Sequence, residues 1–289
     1  IILIDYCLTM RNTPVICWIV ALKVEAKPII AYFKMSRIDH GLKFPIFEDK
    51  TKNNCLIITG VGQLNSSQAT QLLRNQNKAP PWAGFINIGI AGHGIASMGT
   101  LFLVDKIRQH NSTKYSYPSV VFPLKLPRSE LVTSDYPTTD YKRDILFDME
   151  GYGFFKTASR LSPKELIILL KIVSDGPEED VKNLTGKKVS KLVSANIGSI
   201  LDVSEKLRSI SASEARRLSP PDICSDILSG WHFTVSQEHQ LNALVKRWLA
   251  AFPNRTLNNE INKFSDSKQI LYFLKSCLDN NKVDWENLW

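Results

Sequence analysis

Cysteine is scarce and scattered. The five copies, Cys7, Cys17, Cys55, Cys224 and Cys277, are odd in number and form no CxxC pair. That argues against a disulfide framework or a thiolate metal cluster and suits a reducing, cytoplasmic setting. The five histidines are equally dispersed, so no ligand spacing points to a metal, and neither a metal nor a cofactor is expected. No apolar run approaches the roughly 20 residues that cross a bilayer. The opening IILIDYCLTM is apolar but short, lacks a basic leader and a small-residue cleavage site, and reads as an N-terminal extension or an early strand rather than a signal peptide. Internal repeats and low-complexity tracts are absent. So is a basic stripe interleaved with aromatics, the pattern that tracks nucleic acid.

What the chain does have is material for a core. With 289 residues, 44% of them hydrophobic, it can close one large domain, or one domain with an appendage. The net charge of +8 is unevenly placed: residues 201–289 hold 11 basic and 11 acidic side chains, and residues 1–200 hold 25 against 17. The excess comes in ones and twos (LKVEAK, KTKN, YKR, TGKK). Such a spread fits a solvated surface, or mild steering of an anionic ligand, better than a nucleic-acid or membrane partner.

The first 200 residues alternate strand-like and helix-like segments. Strands are expected at 15–21 (VICWIVA), 55–62 (CLIITGVG), 84–94 (GFINIGIAGHG, running into a glycine loop), 100–107, 130–135, the DILFDM segment and 166–175 (LIILLKIVSD). VEAKPIIAYFK and NSSQATQLLRNQ read as helices, the second with its own cap. The alternation predicts an α/β fold, a three-layer αβα sandwich around a twisted mixed sheet. Residues 111–130, rich in Pro and Ser, predict a long loop of the kind that is often functional or mobile. GKKVSKLVSANIGSILDVSEKLRS predicts one long closing helix. Four of the six tryptophans follow it, in segments that predict a helical extension with Thr234 and Gln237 as a capping box. The expected boundaries are a main domain over 10–210 and a helical extension over 211–289, packed on the core or on a second subunit.

Four strand ends carry chemistry: Glu25 after WIVALKV, the glycines of NIGIAGHG, the acids of DMEG (148–151), and Ser174-Asp175 in KIVSDGP. Open α/β sheets place ligand-binding groups at the carboxyl ends of strands. Taken singly, each has an ordinary explanation. Glu25 and the DMEG acids could favour a helix dipole, Asp175 could cap a turn, Met149 could fill a core, Lys171 could snorkel from its strand, and His93 could be a loop residue.

Together, in this order and at these spacings, the four segments resemble the family-1 purine nucleoside phosphorylase and nucleosidase superfamily. Within it they are most similar to the 5'-methylthioadenosine/S-adenosylhomocysteine nucleosidases, over about residues 14–205. The resemblance implies an enzyme that cleaves an N-glycosidic bond, without a cofactor, with a purine nucleoside as partner and water or phosphate as second substrate, and it implies a homodimer. It implies that Glu25 activates the attacking water and that Asp175, after Ser174, protonates the purine at N7. Met149 would pack against the ribose and Glu150 grip its hydroxyls, with Asp148 where the family carries Glu. Lys171, four positions before Asp175, would serve the nucleophile side, and Gly89, Ala91 and Gly92 would bring backbone close to the ligand. Tyr136 is the aromatic nearest the place where the family stacks a ring on the base, one position away. Ile90 stands where members carry Ser or Thr that helps bind phosphate, and no arginine accompanies Glu25. These departures favour hydrolysis over phosphorolysis. A non-catalytic nucleoside-binding protein is the further alternative.

Overall fold

The computed structural model describes residues 14–38, 41–76, 78–137, 144–177 and 184–281. The opening decapeptide, Trp285 and Trp289 lie outside them. The chain divides between Arg217 and Leu218 into two compact units.

Among the described residues of the first unit nine strands form one mixed sheet: β1 (Ile16–Val20), β2 (Ser36–Arg37), β3 (Ile46–Glu48), β4 (Asn54–Ile58), β5 (Gly84–His93), β6 (Leu101–Gln109), β7 (Arg128–Thr133), β8 (Leu146–Asp148) and β9 (Ile167–Asp175). Their order is β2-β3-β4-β1-β5-β8-β7-β6-β9, and β9 also pairs with β5. The last five strands therefore close on themselves. The long, buried β5 is the hub: it runs parallel to β1 and to β9, and its last two residues pair antiparallel with β8. The short β2 and β3 have too few residues to show a period-2 pattern and carry no sequence signal.

The alternation along β1 explains the layers. Ile16, Trp18 and Val20 point to one face, where they meet Ala26 and Ile29 of α1 (Lys23–Phe33), Val193 of α4 (Gly186–Ala195), and Ile200, Val203 and Leu207 of α5 (Ile197–Leu218). Cys17 and Ile19 point to the other, where they meet Ala69 and Leu73 of α2 (Gln63–Asn75) and Phe154, Phe155 and Ala158 of α3 (Gly151–Leu161). The three-layer α/β architecture is thus present, with the closure of β5, β8, β7, β6 and β9 added to it.

Three local expectations need correcting. The glycine loop is not a loop, because β5 continues to His93, whose ring is buried and stacked on Phe102. The single closing helix is broken at Asn196, whose side-chain amide donates to the carbonyls of Gly99 and Leu192, both at 3.0 Å. Such side-chain bonds compete with helical continuation. Helix α2 has no side-chain cap; its N-cap is Gly62 at φ 104°, and the Gly62 N–H is used elsewhere, as shown below. The 111–127 segment is irregular, yet Val120, Phe122, Leu124 and Leu126 pack against the β1–α5 face of the core, so alternate residues pin it as a strap.

The second unit has its own core. Helices α6 (Asp222–Gly230), α7 (Val235–Ala251), α8 (Leu257–Ile261) and α9 (Ser267–Asn280) bury Cys224, Ile227, Leu241, Trp248, Ile261, Ile270 and Leu274 together. The Thr234–Gln237 capping box is formed in both directions. Among the described residues no helix is long and apolar enough to cross a membrane.

Helices α2 and α3 approach closely at Gly153, where a Cβ would lie 2.3 Å from the Gln63 carbonyl oxygen. Gly153→Ala should therefore cost about 1–3 kcal/mol of stability by forcing the two helices apart. Urea unfolding measures this, and an unchanged midpoint would contradict the packing.

Candidate active site

Strand β1 pairs with β5 only as far as Ile88, and β8 joins the same edge only at Gly92. Between these points β5 has no strand beside it on that edge. Glu25, in the first turn of α1, fills the gap. Its Oε1 accepts the Ile90 N–H at 2.9 Å and its Oε2 accepts the Leu22 N–H at 2.7 Å. Glu25 thus secures its own helix start and also ties that helix to the central strand. The residue is buried. Burial raises its carboxyl above the usual carboxylate range, against the two backbone donors and the Lys171 ammonium, which favour the charged form. Gly89 makes the approach possible, because a Cβ there would stand 3.1 Å from Glu25 Oε1 and 3.7 Å from Lys171 Nζ.

On the other edge of β5 the register with β9 slips: Ala91 faces Val173 but Gly92 faces Asp175. The extra residue is Ser174, and such a bulge re-aims side chains at a strand end. The Ser174 hydroxyl donates to Asp175 Oδ1, and both residues are buried.

The third wall comes from the β8–α3 junction. Glu150 is the N-cap of α3, and its Oε1 accepts the Gly62 N–H at 2.8 Å. That is where the uncapped start of α2 sends its donor. Burial, and then the negative charge of Asp148, push the Glu150 carboxyl up to about 7. Asp148 forms a 2.8 Å ion pair with Lys171 in which both side chains are sealed from solvent. Burial alone would lower the Lys171 ammonium, but Asp148, Glu150 and Glu25 together hold it above its ordinary value.

These groups surround one cavity of about 300 Å³, lined by Glu25, Ala91, Gly92, Asp148, Met149, Glu150, Ser174, Asp175 and Tyr136. Nine of the eleven residues singled out from the sequence therefore meet at one place. The other two lie outside the lining: Gly89 abuts Glu25, and Lys171 stands behind the wall, against Asp148. Tyr136 is in the lining with 78% of its surface exposed. Sequence reasoning missed the apolar lining from Leu22, Val61, Pro137, Phe147 and Leu184, whose types carry no chemical signal. It also missed Gly62, which the sharp GVG turn could have flagged. His93 is not part of the lining; its Nδ1 accepts the Ile95 and Ala96 N–H groups and its Nε2 lies 3.3 Å from Asp144. Among the described residues no group of three His, Cys, Asp or Glu side chains is placed to hold a metal ion.

The chain has the fold of three solved structures, two nucleosidases and a hydrolase. The Campylobacter jejuni 5'-methylthioadenosine/S-adenosylhomocysteine nucleosidase superposes with a TM-score of 0.51 at 17% identity, over 66% of this chain and 99% of its own. The Arabidopsis thaliana 5'-methylthioadenosine nucleosidase gives 0.52 at 19%, over 68% and 96%. The futalosine hydrolase of Helicobacter pylori gives 0.54 at 12%, over 67% and 99%. No protein-family model matches the chain, and no curated protein matches it in sequence.

Two stability measurements test the electrostatics of the wall. Lys171→Met should cost about 3–5 kcal/mol, because it strands a buried carboxylate, and adding Asp148→Leu should recover part of that loss. No recovery would contradict the ion-pair account. The Glu150 proton is held more tightly in the folded chain than at the ordinary value of 4.5. Its contribution is therefore full below 4.5 and is lost as pH rises through about 7. Relative to Glu150→Gln, the wild type should lose on the order of 2–3 kcal/mol across that window, read by urea unfolding at stepped pH; a flat difference would contradict it.

Proposed function

We propose that the first unit hydrolyses the N-glycosidic bond of a purine nucleoside, with an adenine nucleoside such as methylthioadenosine or S-adenosylhomocysteine as substrate. The observation that carries this reading is the placement of Glu25 and Asp175 on the two sides of the β5 end, in one cavity, with Met149 and Glu150 forming a third side.

Cleaving an N-glycosidic bond builds positive charge on the ribose and negative charge on the departing purine. Asp175, oriented by Ser174, acts as the acid that donates a proton to purine N7 and lets the base leave neutral. Glu25 takes the proton of the attacking water, and burial strengthens it as a base by raising its carboxyl. Glu150 accepts two ribose hydroxyls through its two oxygens, and the Met149 side chain supplies the apolar wall of the sugar. This division between an acid and a base across one bond is the logic of carboxylate glycosidases. Water is the second substrate: Ile90 offers no hydroxyl to phosphate, and Leu22, whose backbone N–H bonds to Glu25, adds only an apolar side chain to the lining.

Incubation with methylthioadenosine, S-adenosylhomocysteine or adenosine, with and without phosphate, should release free adenine in both conditions. Release only with phosphate would replace hydrolysis by phosphorolysis, and no release would overturn the enzymatic reading. Asp175→Asn and Glu25→Gln should each lower kcat by about 10²–10⁴-fold. A wild-type rate in either variant would remove that residue from its role.

A further inference from the structure

Thr133 ends β7 and is wholly buried, outside the cavity lining. Its hydroxyl donates to Asp148 Oδ1 at 2.6 Å and accepts the Tyr152 N–H at 3.0 Å. The other Asp148 oxygen accepts the Gly151 N–H and the Lys171 ammonium, both at 2.8 Å. Every contact in this chain is direct, and every member except Tyr152 is buried.

Two physical facts give the arrangement a purpose. The terminal torsion of an aspartate is broad, so a carboxylate held at one oxygen can swivel, whereas one held at both cannot. A lysine ammonium is a point charge on a flexible four-carbon stem, so its position is set by what it is bonded to. Thr133 supplies the second anchor, and the Tyr152 N–H on its oxygen favours aiming its single proton at Asp148. The ammonium so fixed lies beside Gly89, the same residue that Glu25 Oε1 abuts.

We propose that Thr133 is a positioning residue for the nucleophile side of the cavity: by locking the Asp148 carboxylate it aims the Lys171 ammonium at the wall that carries Glu25. The proposal rests on the reading of Glu25 as the group that activates water. On that reading the ammonium, from behind the wall, holds the Glu25 carboxylate in register for the water, while Thr133 touches neither the water nor the nucleoside.

Thr133→Val keeps the shape and removes the hydroxyl, and Thr133→Ser keeps the hydroxyl and removes a methyl group. With the full chain and methylthioadenosine, Thr133→Val should lower kcat about tenfold to a hundredfold, with KM within about threefold of wild type, and Thr133→Ser should return kcat to within about threefold. A wild-type kcat in Thr133→Val, a loss expressed in KM, or an equal loss in Thr133→Ser would overturn the proposal. Should Thr133→Val show no cooperative thermal transition, Thr133→Ala takes its place with the same expectations. If the wild type itself releases no adenine, the proposed function has failed, and the positioning is then decided without activity by NMR of 15N-lysine-labelled protein. The Lys171 ammonium resonance should move in Thr133→Val and stay in Thr133→Ser; an unmoved resonance in both would overturn the proposal.

Discussion

One buried cation is shared among three buried carboxylates, and the rest of the site depends on that imbalance. Lys171 is ion-paired with Asp148 at 2.8 Å, and its charge offsets the burial of Glu25 and Glu150 only in part. Both are consequently raised above the ordinary carboxylate value. A wall built this way holds acids that take up protons more readily than a surface carboxylate does. Buried charge of this kind stabilises a fold poorly, and its presence in an otherwise apolar core is the physical ground for reading this wall as a candidate site.

The sheet makes the imbalance possible. Because β1 stops at the level of Ile88 and β8 begins only at Gly92, the central strand exposes one backbone donor to a side chain from a neighbouring helix. Because β9 bulges at Ser174, the acid at its tip is turned toward the same opening. The close approach of α3 to the start of α2 at Gly153 sets Gly62 against Glu150. Each device is a local departure from regular pairing or capping, and the three converge on one cavity.

Much of this was legible in the sequence. The continuous apolar runs of β1, β4, β5 and β9 and the helix-like patterns of α1 and α2 are strong local signals, and the four strand-end segments name the acids that meet. Other features were illegible for physical reasons. Glu25 reads equally as a first-turn acid because it is one; only the tertiary pairing reveals that its second oxygen holds β5. Asp148 reads as a substrate-facing acid, yet its side chain is sealed away and satisfied by Thr133, Gly151 and Lys171. The strap at 111–127 is rich in Pro and Ser, and its alternate apolar residues acquire meaning only beside the core they cover. The break at Asn196 depends on a carbonyl 97 residues away in the chain.

The most direct test of the account is a crystal structure of the Asp175→Asn variant with methylthioadenosine bound. The purine N7 should lie within hydrogen-bond distance of residue 175, the ribose hydroxyls on Glu150, and a water between Glu25 and the anomeric carbon. A nucleoside bound elsewhere, or seated with its base toward Glu25, would contradict the assignment of the cavity.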